Sequence, residues 1–297
     1  MELLPVARWI GYLGVMGLVG AATFQGIVHT RVAPSHPGAT GQMLGRVRAA
    51  AFMAAFFMIL ALVLKLLGQL GSFVEPGEAM TRELFDLVLD SGWGHSWQIQ
   101  AAVAGVTLLL VLLVRTTWAL IPLALAAVIT APLTGHAIEN PWGLPVGLAL
   151  HALHQFGGGV WIGTLVLVLA AGYGGTRSLP EVERHPLIAT LVHAYSPVAL
   201  AGVGTAVLAG LILALGYVAS ISALWTTSYG RMLILKTLFM AVTAGIGAYN
   251  WRRVRPRLGE KTSSDRLYRS ATLELIVGGL LLGATAVLVA LPAPALE

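Results

Sequence analysis

The stretch AAAFMAAFFMILALVLKLLGQL, residues 49–70, decides the fold. It carries a single charge, Lys65. As a helix it is long enough to cross a hydrocarbon core about 30 Å thick, which takes roughly 20 apolar residues. Comparable runs fall at roughly 9–28, 97–114, 117–135, 145–172, 190–217, 231–250 and 272–291. Together they predict an all-α integral membrane protein, a single polytopic domain over residues 1–297 built as a bundle of about eight transmembrane helices. The third and fourth runs meet at Arg115-Thr116-Thr117, which asks for a tight hairpin. The first run reads as a spanning helix rather than a cleaved leader, because no basic segment and small-residue cleavage site frame it.

Composition agrees. Of 297 residues, 57% are hydrophobic and 10% charged, where a soluble domain carries roughly 25% charged residues. The mean hydropathy is +0.82. The formal net charge of +5 does not point to nucleic acid, because the basic residues sit in short loops between apolar runs and no aromatics interleave with them. The chain has no cysteine, which removes disulfides, thiolate metal sites and cysteine nucleophiles. Gly157-Gly158-Gly159 is followed by no Walker-type lysine and reads as a site of close helix packing. No hydrolytic or group-transfer site stands out, so an enzyme is not expected.

The loop after the seventh run holds Arg252, Arg253, Arg255, Arg257, Lys261, Arg266 and Arg269. By the positive-inside rule it is cytoplasmic. Alternation then places Arg31, Arg46, Arg48, Arg115, Arg177 and Arg184 on the same side and both termini outside, in the periplasm. Trp93, Trp97, Trp142 and Trp225 fall near the outer interface, and Trp118 and Trp251 near the inner one, where amphipathic rings settle. The outer loop 71–95 is acidic, with Glu75, Glu78, Glu83, Asp86 and Asp90 against Arg82 alone. Within it, residues 78–90 place Met80, Leu84, Leu87 and Val88 at helical spacing, which predicts a short amphipathic helix on the membrane surface.

Histidines carry the chemical signal. His95 precedes the third run, His136 ends the fourth, and His151 and His154 lie in the outer half of the fifth. The last two are spaced i, i+3 and so leave one helix face. His154 lies about 13 Å inside its run, a depth at which polar groups are costly and face the bundle interior. Imidazole ligates copper, zinc and haem iron. Four imidazoles on one side predict a metal site of His95, His136, His151 and His154. The competing reading is polar residues hydrogen-bonded between helices. His29 and His193, near the inner ends of the first and sixth runs, offer a second site or are interfacial polar residues. His36 and His185 fall in polar loops and are expected to be solvated. Lys65 and Lys236 lie inside runs; they are functional or snorkel outward. Met16, Met53, Met58, Met232 and Met240 are read as packing rather than as soft copper ligands.

The motifs have a familiar order. Thr134-Gly135-His136-Ala137 is followed by Leu153-His154 and, seven residues beyond that histidine, Trp161-Ile162-Gly163. His193-Ala194-Tyr195-Ser196 comes next, then Thr227-Ser228-Tyr229-Gly230-Arg231, with Lys236 in step and Asn250 closing the helix. This order resembles the CopD (PcoD-like) copper-resistance membrane family over the fourth to seventh runs. The chain departs from the family pattern at Gln155 to Gly159, where an aliphatic stretch is usual. The resemblance implies a multi-pass protein of the bacterial inner membrane that handles copper, works with a periplasmic copper carrier of the CopC type, and uses His136 and His154. Tyr229, Arg231 and Lys236, which stand in these motifs, are candidate functional polar residues. Two other functions fit the residues: a bis-histidine b-type haem protein moving electrons, and a membrane scaffold or assembly factor.

Overall fold

The structure, a computed structural model, describes residues 3–74, 79–114, 117–135, 140–176, 179–258 and 261–295, the side chains of 261–263 excepted. The described residues form an all-α membrane bundle. Seven helices are long and apolar enough to span: α1 (Leu3–Val32), α2 (Pro37–Gly71), α4 (Gly92–Leu113), α6 (Leu144–Tyr173), α7 (Glu181–Tyr217), α8 (Ser228–Arg257) and α9 (Lys261–Leu288). The expected fourth run is the shorter apolar helix α5 (Leu120–Thr134). Its last turn, Ala131–Thr134, is wound as 3-10 helix beginning at Ala131-Pro132, because Pro132 offers no backbone N–H to an α turn. The tight hairpin expected at Arg115-Thr116 lies outside the described residues, although α5 does pack against α4.

The surface is that of a lipid-solvated chain. Leu113, Leu208, Leu215, Leu238 and Ile276 are each more than half exposed on the flanks of the bundle, more apolar surface than water tolerates in one molecule. Several hydroxyls inside the spans return to their own backbone: Thr107, Thr243 and Thr285 donate to the carbonyls four residues earlier, which pairs them without water.

Helix α1 is the hub. It packs against α2, α5, α6 and α9, and its Leu18, Val19 and Phe24 are fully enclosed. Small residues set these crossings. A Cβ on Gly20 would fall on the Gly163 carbonyl, and one on Gly163 on the Met16 carbonyl, so α1 and α6 touch backbone to backbone. A Cβ on Gly157 would meet both Ala206 N and Gly202 O at 2.6 Å, which joins α6 to α7 the same way. This is what the departure at Gln155 to Gly159 builds: closer helix contact than an aliphatic stretch permits.

The amphipathic helix is shorter than expected. It runs as α3, Arg82–Asp90, started by Thr81, whose hydroxyl accepts from Leu84 N at 3.3 Å; Glu75 and Glu78 lie outside the described residues. Ser91 then caps α4, accepting from Gly94 N at 3.0 Å. Val88 is the one buried residue of α3, while Phe85 and Leu87 are exposed, as a helix lying in an interface requires.

His185 corrects an expectation. It is not in a solvated loop but buried in α7, with Nδ1 at 3.2 Å from Ser264 Oγ of α9. The helix starts at Glu181, earlier than hydropathy suggests, because its charged, exposed first turn precedes the apolar run.

Candidate functional site

The end of the bundle that carries α3 holds three of the described histidines, His95, His151 and His154. On α6, His154 turns toward α7. Its Nδ1 donates to the Ala206 carbonyl at 2.7 Å, and the ring fills the space left by Gly210, where a Cβ would meet His154 Cε1 at 2.8 Å. A carbonyl cannot donate, so Nδ1 carries the hydrogen and the lone pair sits on Nε2. Metal-ligating histidines are oriented in this way, by a backbone carbonyl on the other nitrogen. Lys236 of α8 lies within electrostatic range of His154.

One turn earlier, His151 Nε2 pairs with the Tyr217 hydroxyl at 3.1 Å, and Asn140 Nδ2 donates to the same hydroxyl at 3.2 Å. Asn140 also fixes its own loop, accepting from Trp142 N at 3.0 Å. Tyr217 packs in a small cluster with Leu213, Tyr229 and Leu288. Tyr229 therefore reaches the histidine region through Tyr217. The Thr227-to-Arg231 motif is in part a helix start. Thr227 accepts from Gly230 N at 2.9 Å, and Gly230 has no room for a Cβ against Ala223 and Leu224. Arg231 is exposed and reaches Ser228 Oγ at 3.4 Å.

His136 lies outside the described residues. Its described neighbours do not: Gly135 lines a cavity together with His151, and Asn140 bonds the hydroxyl that holds His151. His95 is exposed in the first turn of α4. Among the described residues no group of three His, Cys, Asp or Glu side chains is close enough to share a metal ion. At the opposite end, His29 stacks on Trp118 with ring centroids 5.0 Å apart. His193 is exposed and donates to Ala189 of its own helix at 2.7 Å.

The cavity beside His151 has a volume of about 70 Å³ and lies among α1, α2, α4, α5 and α6. Arg8, Tyr12, Lys65, Gln100, Thr134 and Gln155 supply its polar wall. Lys65 does not snorkel outward: Nζ donates to Gln100 Oε1 at 3.3 Å and to Thr134 Oγ1 at 3.2 Å. With two cations and, among the described residues, no acid on its wall, the cavity favours water or an anion over a second cation. Sequence reading missed Arg8, which stands just before the expected first run of 9–28 and falls inside the spanning helix Leu3–Val32.

It also missed Glu274. This carboxylate, 4% exposed on α9, accepts from Trp161 Nε1 at 3.0 Å and from Asn250 Nδ2 at 3.2 Å. Ser270 Oγ donates to Asn250 Oδ1 at 2.5 Å, and the Tyr195 hydroxyl donates to the Trp161 carbonyl at 3.0 Å. In the sequence Trp161 and Asn250 stand far apart; the carboxylate is what joins them.

Two comparisons with protein families return a match. Residues 1–144 match the family described as Copper resistance protein D-like, N-terminal domain, and residues 189–288 match the one described as Copper resistance protein D. His151, His154 and Trp161 fall between the matched ranges, whereas Lys236, Asn250 and Glu274 fall within the second. No curated protein and no solved structure matches the chain.

Proposed function

The chain belongs to the copper resistance protein D family, and from that membership we propose that it accepts copper at the α3 end and passes it toward the arginine-rich end. In this reading that end faces the periplasm of a bacterial inner membrane. His154 Nε2 is the first ligand, and His136 and His151 complete the set. His95 is a capture residue at the exposed start of α4. The observation that carries the reading is the bond from His154 Nδ1 to the Ala206 carbonyl, because it presets the ligand nitrogen before any metal arrives. A soluble carrier of the CopC type is the donor we favour, and the protein itself performs no bond-breaking chemistry.

The b-type haem alternative finds less support. The cavity at His151 has about 70 Å³, while cofactor pockets take roughly 300–1,000 Å³. One spectrum decides. Purified protein is expected to contain copper by elemental analysis and to show no Soret band. A Soret band without copper would replace the copper reading with the haem one.

Orientation is tested separately. A reporter fused after Glu297 should behave as periplasmic, and one placed in the loop after Arg257 as cytoplasmic. The opposite pattern would move the histidines to the other side of the membrane.

The acidic rim has its own test. Glu75, Glu78, Glu83, Asp86 and Asp90 stand in one outer loop of the sequence with Arg82 as its one basic residue, and such a rim concentrates cations or docks a basic carrier. Neutralising all five should slow copper loading at low salt. At physiological salt, where charges are screened beyond about 8 Å, it should have much less effect, and the final copper content should stay the same. Equal loading rates at low salt would make the rim ordinary surface.

A further inference from the structure

At the arginine-rich end, a second cavity of about 340 Å³ lies among α6, α7, α8 and α9. Its wall is mostly apolar, from Leu165, Val168, Ala199 and Val203, but Glu274 and Asn250 sit on it and Arg252 and Arg255 stand at its rim. Nothing in the copper reading uses this space. The carboxylate is held from two sides by turns of unusual winding. Trp161 lies in the π turn Gly159–Gly163 of α6, and Asn250 opens the π turn Asn250–Val254 of α8. Wide turns of this kind recur at functional sites because they re-aim side chains that a regular helix would point elsewhere. A buried carboxylate inside a spanning helix is costly and marks function by default.

We propose that Glu274 is a proton-exchanging carboxylate that takes up and releases its proton through this cavity to the arginine-rich side. The geometry fits a proton better than a metal. Each carboxylate oxygen accepts one N–H and keeps a lone pair for a proton. The charged groups at the rim are arginines, which repel metal cations. The other titratable groups on the cavity wall are Tyr173 and Tyr195. The Tyr195 hydroxyl is committed to the Trp161 carbonyl, and the Tyr173 hydroxyl to the Ser264 carbonyl at 3.2 Å, so neither competes for the carboxylate. Ser270 Oγ meets Asn250 Oδ1, which leaves the amide N–H facing Glu274. At about 30 Å³ per water, the cavity has room for a short file of waters reaching the carboxylate. The step balances as a proton transfer: hydronium in the cavity gives a proton to a Glu274 oxygen and becomes water, and on release the O–H bond breaks as a cavity water takes the proton back.

The site stands apart from the copper reading, and its test needs no copper. The full-length protein, reconstituted in lipid, is examined by infrared difference spectroscopy between acidic and alkaline buffer. A carboxylic C=O band should titrate in the parent, vanish in Glu274→Gln and move in frequency in Glu274→Asp. The aspartate variant keeps a carboxylate and so reads the site even if the amide variant fails to fold. Ala199→Phe, which fills the cavity and leaves the carboxylate in place, should slow deuterium exchange of that band at least several-fold. A parent with no titrating band that depends on position 274 overturns the proposal. Unchanged exchange in Ala199→Phe overturns the route. Copper content measured on the same samples separates the two ideas, since loss of the infrared band with copper retained leaves the copper site standing.

Discussion

Replacing Gly163 by leucine should leave no assembled protein. The position faces the Met16 carbonyl, and Gly20 faces the Gly163 carbonyl in return, so the added side chain meets backbone and not a movable rotamer. Overpacking a core costs about 1–3 kcal/mol where side chains can yield; here neither chain can retreat without parting α1 from α6, and α1 is the helix on which most others pack. Gly163→Leu is expected to elute as aggregate from detergent, and Gly163→Ala to melt several degrees below the parent. Gly279→Ala, at a glycine with nothing within 4 Å, is the control and should melt as the parent does. A Gly163→Leu protein that elutes and melts normally would show that α1 and α6 do not cross here.

The second large effect concerns copper. His154→Ala and His136→Ala should each lower the copper content of the purified protein well below the parent's. Gly210→Val, which touches no metal, should act through the His154 ring: its side chain occupies the place of Cε1 and pushes the imidazole off the Ala206 carbonyl. Displacing such a supporting contact typically costs 10–100-fold in metal affinity, so the variant should weaken copper binding by about that factor while keeping its elution profile. Full copper content in both histidine variants would place the site elsewhere.

Much of the fold was legible because lipid imposes a simple rule: a run of about 20 apolar residues must be a helix, since no other single segment satisfies its own backbone. Helix ends were less legible. Charged first turns, as in Glu181–Arg184 of α7, lie outside the hydrocarbon and leave no trace in hydropathy; that is why His185 was placed in solvent although it packs against Ser264. The site was legible in its types and not in its pairings. The i, i+3 spacing put His151 and His154 on one face, but only the fold shows Ala206 and Tyr217 as their partners. Glu274 was overlooked because it stands near the start of its apolar run, where an acid reads as interfacial. Its burial comes from Trp161 and Asn250, distant in sequence and brought to it by π turns that no periodicity reveals.

The central claim is that copper is held by imidazoles at the α3 end, with His154 Nε2 among them. X-ray absorption at the copper edge of the copper-loaded full-length protein tests it most directly. The account predicts nitrogen ligation with the outer-shell scattering of two or more imidazoles, and the loss of at least one imidazole in His154→Ala. A shell of thioether sulfur alone, or an unchanged imidazole signal in His154→Ala, would contradict it.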